Sequence, residues 1–299
     1  MHVRHHVAAT LGAAALVPAL VLAPVCAQAA PATTSRPAAL SDTLSSSQPG
    51  AIGVPASSQL TSGPLRDRAL QLLASAENGT TDWRDQYGYI EYNVEDGAGM
   101  NRGYTGGLVG FTSRTNDMYV VVRDYVRAKP RNNPLARYLP ALRRVDGSSS
   151  AVGLRRSFMK AWRRAAKDPV FRRVQDRAVD SMYLGPAVRQ ARADKLGELG
   201  QFIYFDALVM HGSGPGSRSF EGIRAAAMRA AATPARGGNQ TRYLDAFLDR
   251  RVAAMRAESA DIDVSRVETA QRRFLEAGNL ALTPPLRWSV YGTSYSISR

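Results

Sequence analysis

SAENGTTDWRDQYGYIEYNVEDGAGMNRGYTGG, residues 75–107, closes a helix on a glutamate, passes a run of aromatics and enters a glycine-rich loop. The approach to it sets the helix: Leu65, Ala69, Leu72, Leu73 and Ala76 recur at helical spacing and predict an amphipathic helix over 64–78. Asn78-Gly79 supplies the stop. Beyond it, 88–93 and 108–112 carry the best strand patterns in the chain, and the glycine-rich 97–110 reads as loop or short strand. Glu77 at a helix end and the pair Glu95-Asp96 on a nearby turn are the equipment that acid/base cleavage of a glycosidic bond requires.

Downstream the pattern is helical. Asp117 stands ready to cap a helix through Met118, Val121, Val122 and Tyr125. Asn133-Pro134 and Asp168-Pro169 each put a capping side chain before a proline, the order found where helices begin. The nearly continuous apolar run 196–210 predicts a buried central helix. Residues 245–258 and 265–277 predict two more helices, and Pro284-Pro285 ends the pattern. The class predicted is mainly α (α+β) with a small β element.

Upstream the chain is not domain-like. Arg4 followed by the apolar 7–25 and the small-residue site Ala27-Gln28-Ala29 predicts a secretory signal peptide over 1–29 and an extracellular protein. Residues 30–63, dominated by Ala, Ser, Thr and Pro, predict a disordered linker, leaving one domain over 64–299. Loss of the leader removes the single cysteine and leaves His211 as the lone histidine. Thiol chemistry, a cysteine or histidine metal cluster and any metal cofactor are therefore not expected, and no Gly-x-Ser-x-Gly elbow accompanies His211. Carboxylates, arginines and tyrosines remain. The net charge of +14 favours polyanions in general, yet its arginines are scattered along helix faces without a nucleic-acid-binding motif, so neither nucleic acid nor membrane is expected as partner.

An ordered set of segments resembles one family, the family 46 glycoside hydrolases, which are bacterial chitosanases. It runs from Ser75-Ala76-Glu77-Asn78 through Trp83, Gln86-Tyr87, Tyr89-Ile90-Glu91 and Arg102-Gly103-Tyr104-Thr105-Gly106-Gly107 to Asn116-Asp117-Met118 and Gly185-Pro186-Ala187-Val188. Leu199-Gly200-Gln201-Phe202, Asp206 to Gly212, Ser265-Arg266-Val267-Glu268 and Pro284-Pro285-Leu286-Arg287-Trp288 complete it. The resemblance implies a lysozyme-like fold of two mostly helical lobes flanking a substrate cleft, and a monomeric, cofactor-free endo-hydrolase of chitosan. Inversion would use two carboxyl groups roughly 6.5–9.5 Å apart, with room for a water between them. Glu77 matches the family's general acid. Its general base is an aspartate just before Arg-Gly-Tyr-Thr-Gly-Gly. Here Ala98-Gly99-Met100-Asn101 interrupts that spacing, leaving Asp96, which keeps the Asp-Gly pair, as the expected base and Glu95 as the alternative. Thr105 resembles the residue that holds the attacking water, Arg102 the one that positions the loop. Asp117, Tyr89, Tyr183 and Glu258 resemble substrate-binding side chains of the cleft, and Asp206, Arg251 and Arg266 a network supporting the acid. A hydrolase of another amino-sugar polymer and a non-catalytic polysaccharide-binding protein are the competing readings.

Overall fold

The computed structural model describes residues 60–93 and 102–299. Helix α1 (Gly63–Glu77) carries Pro64 in its first turn, where the missing N–H costs nothing, and buries Ala69, Leu70, Leu72, Leu73 and Ala76. The ordered fold begins a little before the expected boundary. Leu60 is fully buried and its N–H donates to Gln201 Oε1 at 3.2 Å, so residues 60–63, read as linker, belong to the domain. A run poor in apolar residues hides this, because one leucine suffices when a pocket already exists for it.

A three-stranded antiparallel sheet follows: β1 (Ile90–Tyr92), β2 (Tyr104–Gly106) and β3 (Phe111–Thr112), with Glu91 opposite Thr105 and Thr105 opposite Thr112. Strand β2 lies inside the segment read as loop or short strand. Two glycines make the β2–β3 connection possible. A Cβ at Gly106 would stand 2.7 Å from the Tyr89 carbonyl, and Gly107, at φ +79°, would meet Gln175 Oε1 at 2.5 Å.

Helices α2 (Asp117–Ala128), α3 (Leu139–Val145), α4 (Arg155–Ala165) and α5 (Pro169–Val179) build a first aromatic group, in which Phe158 meets Tyr104 edge-on at 5.3 Å and Trp162 meets Phe171 at 5.0 Å. Asp168 caps α5 as expected, accepting from Val170 N at 2.9 Å. Two capping expectations are corrected. The N-cap of α2 is Asn116, with Asp117 as the first helical residue. Asn133 shapes a turn instead of starting a helix, accepting from Leu135 N and donating to the Lys129 carbonyl.

A second aromatic group in the same hydrophobic core lies among α6 (Gly185–Ala193), α7 (Glu198–His211), α8 (Phe220–Ala230), α9 (Gln240–Glu258) and α10 (Arg273–Glu276), with Tyr204, Phe220 and Phe247 in mutual contact. Helix α7 is the buried central helix of the sequence reading: every residue from Leu199 to His211 is buried. A closing hairpin, β4 (Leu286–Val290) and β5 (Thr293–Ile297), was not anticipated. Helix α1 ties the parts together. Arg66 pairs with Asp180 at 2.9 Å ahead of α6, Arg68 donates to the Leu282 carbonyl at 2.8 Å, and Ser75 Oγ accepts from Trp288 Nε1 of β4 at 2.9 Å. The result is mainly α with a small β element.

Candidate active site

Glu77 is the last residue of α1, and its side chain is only 7 % exposed. Among the described residues one hydrogen-bond partner reaches it: Arg266 Nη2 donates to Glu77 Oε1 at 2.8 Å and to Asp206 Oδ1 at the same distance. The second oxygen of Asp206 forms an ion pair with Arg251 Nη2 at 2.6 Å and accepts from Gln271 Nε2 at 2.7 Å. Gln271 Oε1 in turn accepts from Arg251 Nη1 at 2.9 Å, which fixes the orientation of the amide. The chain ends at His211, whose Nε2 accepts from Arg251 Nε at 3.3 Å; its proton therefore sits on Nδ1 and the ring is neutral. Burial and the neighbouring Arg251 and Arg266 hold the His211 pKa well below its ordinary value.

These contacts depend on an unusual helix. Residues Arg266–Arg272 form a π-helical segment between Ser265 and α10. Arg266 and Gln271 are five residues apart, which on an α-helix means about 500° of rotation and different faces. The i→i+5 repeat of a π turn brings both to Asp206. A second π segment, Asp180–Leu184, delivers Tyr183, whose buried hydroxyl makes a long, weak bond to Asp117 Oδ2 at 3.5 Å.

The carboxyl groups differ as their surroundings dictate. Burial pushes the Glu77 pKa up and Asp206 adds to the rise, while Arg266 and Arg102 oppose it; the balance leaves it above the ordinary value. Burial acts the same way on Asp206, but Arg266 and Arg251 outweigh it and hold that carboxyl well below the usual range. Asp117 is different again. It is 4 % exposed, and its Oδ1 accepts from the backbone of Thr112 and Met118 and from Thr115 Oγ1. These donors are neutral, and burial pushes its pKa up to about 6.

Of the residues singled out from the sequence, Glu77, Arg102, Asp117, Tyr183, Asp206, Arg251 and Arg266 are brought together. Thr105, on β2, is buried, with a hydroxyl that has no hydrogen-bond partner among the described residues. Tyr89 sits at the foot of β1 with its hydroxyl on Glu91 Oε2 at 2.8 Å, and Glu258 ends α9, half-buried. Asp96 and Glu95 lie outside the described residues. Gln271, Ser75, Trp288 and Tyr291 were not anticipated. The Arg266–Gln271 spacing fits no α-helical pair, and only knowledge of the π turn makes it a signal. Among the described residues no cluster of three metal-ligating side chains exists, and no helix is long and apolar enough to cross a membrane.

Residues 71–286 match the model of glycosyl hydrolase family 46. The chain belongs to that family. It is 53% identical over 233 residues to the chitosanase of Streptomyces sp. (strain N174), covering 78% of this chain and 82% of that one. A chitosanase complex structure superposes with a TM-score of 0.76 at 49% identity, over 80% of this chain and all but 1% of the other. The family 46 chitosanase of Gynuella sunshinyii, in complex with chitotetraose, gives 0.70 at 32% identity, with coverages of 78% and 97%. The mainly α, lysozyme-like fold and the glycoside hydrolase class expected from the sequence therefore stand.

Proposed function

We propose that this family 46 hydrolase cuts β-1,4 linkages between glucosamine units within chitosan chains, with inversion at the anomeric carbon. The observation that carries the reading is Glu77: a buried carboxyl group at a helix end, its pKa raised by burial and its orientation held by Arg266. A group so placed donates its proton to a leaving glycosidic oxygen and is restored through solvent. Asp96 is the base that activates water, and the Thr105 hydroxyl helps to hold that water. The chitosanases similar to this chain support the substrate class.

A protein of charge +14 acting on a polycation needs carboxylates at short range to the sugar ammonium groups. Asp117 suits that task, because its bonded donors are neutral and a substrate ammonium would supply the missing cation. Asp117→Asn is expected to raise KM for chitosan about tenfold, the worth of one charge-assisted hydrogen bond of about 1.4 kcal/mol. In the parent, KM should rise as pH falls through about 6, where the carboxyl takes up its proton, and the variant should lack that rise. A KM unchanged by the substitution removes Asp117 from substrate binding.

Soluble chitosan, chitin and peptidoglycan offered side by side, with proton NMR of the first products, test the reading as a whole. Rapid internal cleavage of chitosan with α-anomers released first is expected. Initial β-anomers contradict inversion, cleavage confined to peptidoglycan or chitin makes this a hydrolase of another amino-sugar polymer, and no cleavage leaves a binding protein.

A further inference from the structure

The hairpin β4–β5 turns through Tyr291-Gly292, and both residues have positive φ, 50° and 77°. A two-residue turn of that kind is the place for Asn, Asp or Gly, since a side chain with a bulky Cβ substituent is disfavoured there. Tyrosine in the left-handed region is an outlier that something else in the molecule must hold in place. Its surroundings identify what does. The backbone N–H of Tyr291 donates to Ser265 Oγ at 2.8 Å, and Thr269 Oγ1 donates to the Ser289 carbonyl at 2.6 Å. Both bonds seat the tip of the hairpin on the π-helical segment that presents Arg266. Trp288, one strand position earlier on the core side, holds Ser75, two residues before Glu77.

Three polar atoms of the residues so joined have no hydrogen-bond partner among the described residues, the Tyr291 hydroxyl, Arg266 Nε and Arg266 Nη1, and the Arg266 charge acts on the phenol. All three are buried. Arg266 spends only Nη2 on Glu77 and Asp206. Buried donors and acceptors in native proteins are almost always satisfied, and a polar enclosure with two to four partners is where an ordered water resides.

We propose that Tyr291 is a positioning residue for the general acid: its hydroxyl oxygen is joined through one enclosed water to one of the unpartnered N–H groups of Arg266 and thereby sets how strongly that guanidinium holds Glu77. The inference rests on Glu77 being the acid. Burial keeps the phenol protonated, with its pKa pushed up to about 12, so it acts as a neutral dipole at working pH. The water accepts from Arg266 and donates to the phenol oxygen, which draws positive charge away from the Glu77 side. Among the described residues, the other charges acting on the pair are Asp206, Arg102 and, beyond them, Arg251, with Asp263 acting on the phenol itself and the neutral His211 and Tyr183 nearby. Removing the hydroxyl leaves Arg266 more fully committed to the two carboxylates, which lowers the Glu77 pKa.

The pH profile of kcat on soluble chitosan, measured for the parent, Tyr291→Phe, Tyr291→Asn and Glu77→Gln, tests this. Phenylalanine keeps the ring, and asparagine suits the turn, so at least one variant folds with a parent-like melting temperature. Either should move the alkaline limb of kcat, where the acid loses its proton, about half a pH unit downward, a change of roughly threefold in the acid's proton affinity. A merely structural tyrosine would alter stability and leave that limb in place. An unmoved limb in folded variants, with Glu77→Gln inactive, overturns the proposal alone. An active Glu77→Gln overturns the assignment of the acid and the proposal with it.

Discussion

Glu77→Gln should fold like the parent and lose about 10²–10⁴-fold in turnover. The replacement keeps the size and shape of the side chain, and its amide oxygen still accepts from Arg266 Nη2, so the 2.8 Å contact and the end of α1 survive. Only the transferable proton is lost. The base is tested in the same assay. Asp96→Asn is expected to be as damaging as Glu77→Gln, and Glu95→Gln to retain most activity, because Asp96 keeps the Asp-Gly pair ahead of Arg102. Initial rates on soluble chitosan, read beside thermal melts, decide the matter. An active Glu77→Gln sinks the mechanism, whereas a dead Glu95→Gln beside an active Asp96→Asn moves the base to Glu95.

Asp206→Leu should cost the most stability of any single change around the site. Leucine nearly fills the volume but leaves Arg251 and Arg266, 0% and 1% exposed, facing each other without the carboxylate between them. Removing one partner of a buried ion pair costs about 3–5 kcal/mol. For a domain of this size that corresponds to a fall in melting temperature of order 10 °C. The pH dependence carries the same signature. The Asp206 carboxyl is held below its unfolded value, so its contribution is complete above the ordinary carboxylate range and is lost as pH falls toward its folded pKa. The parent should therefore lose its stability advantage over the variant in strong acid. A melting temperature within two degrees of the parent at neutral pH would show that the arginines find other partners.

The helices were legible where one face or all faces were apolar. The spacing of Leu65, Ala69, Leu72, Leu73 and Ala76 located α1 to within a residue at each end, and the run 196–210 located α7, because burial of a helix leaves its mark on every turn. Asp168-Pro169 marked the start of α5 through a local bond between neighbouring residues. Asn133-Pro134 used the same residue types and produced a turn, since its side chain bonds back to Lys129 as well as forward. Short strands left less trace: β2 has three residues, all buried, with no alternation to read.

The family and the residues of the arginine–aspartate network were carried by residue types in order along the chain. Their number and spacing needed no coordinates. What the tertiary structure decided was which donors those groups share and which stay unshared. Glu77 and Arg266 are 189 residues apart, and Arg251 reaches His211 and Gln271 from a third helix. The π turn that aligns Arg266 with Gln271, and the hairpin whose Tyr291 N–H bonds Ser265 beside Arg266, arise from packing between elements. A periodicity of 3.6 or 2 in the sequence cannot encode either, because both depend on where distant segments meet and on which buried polar atoms are left to satisfy there.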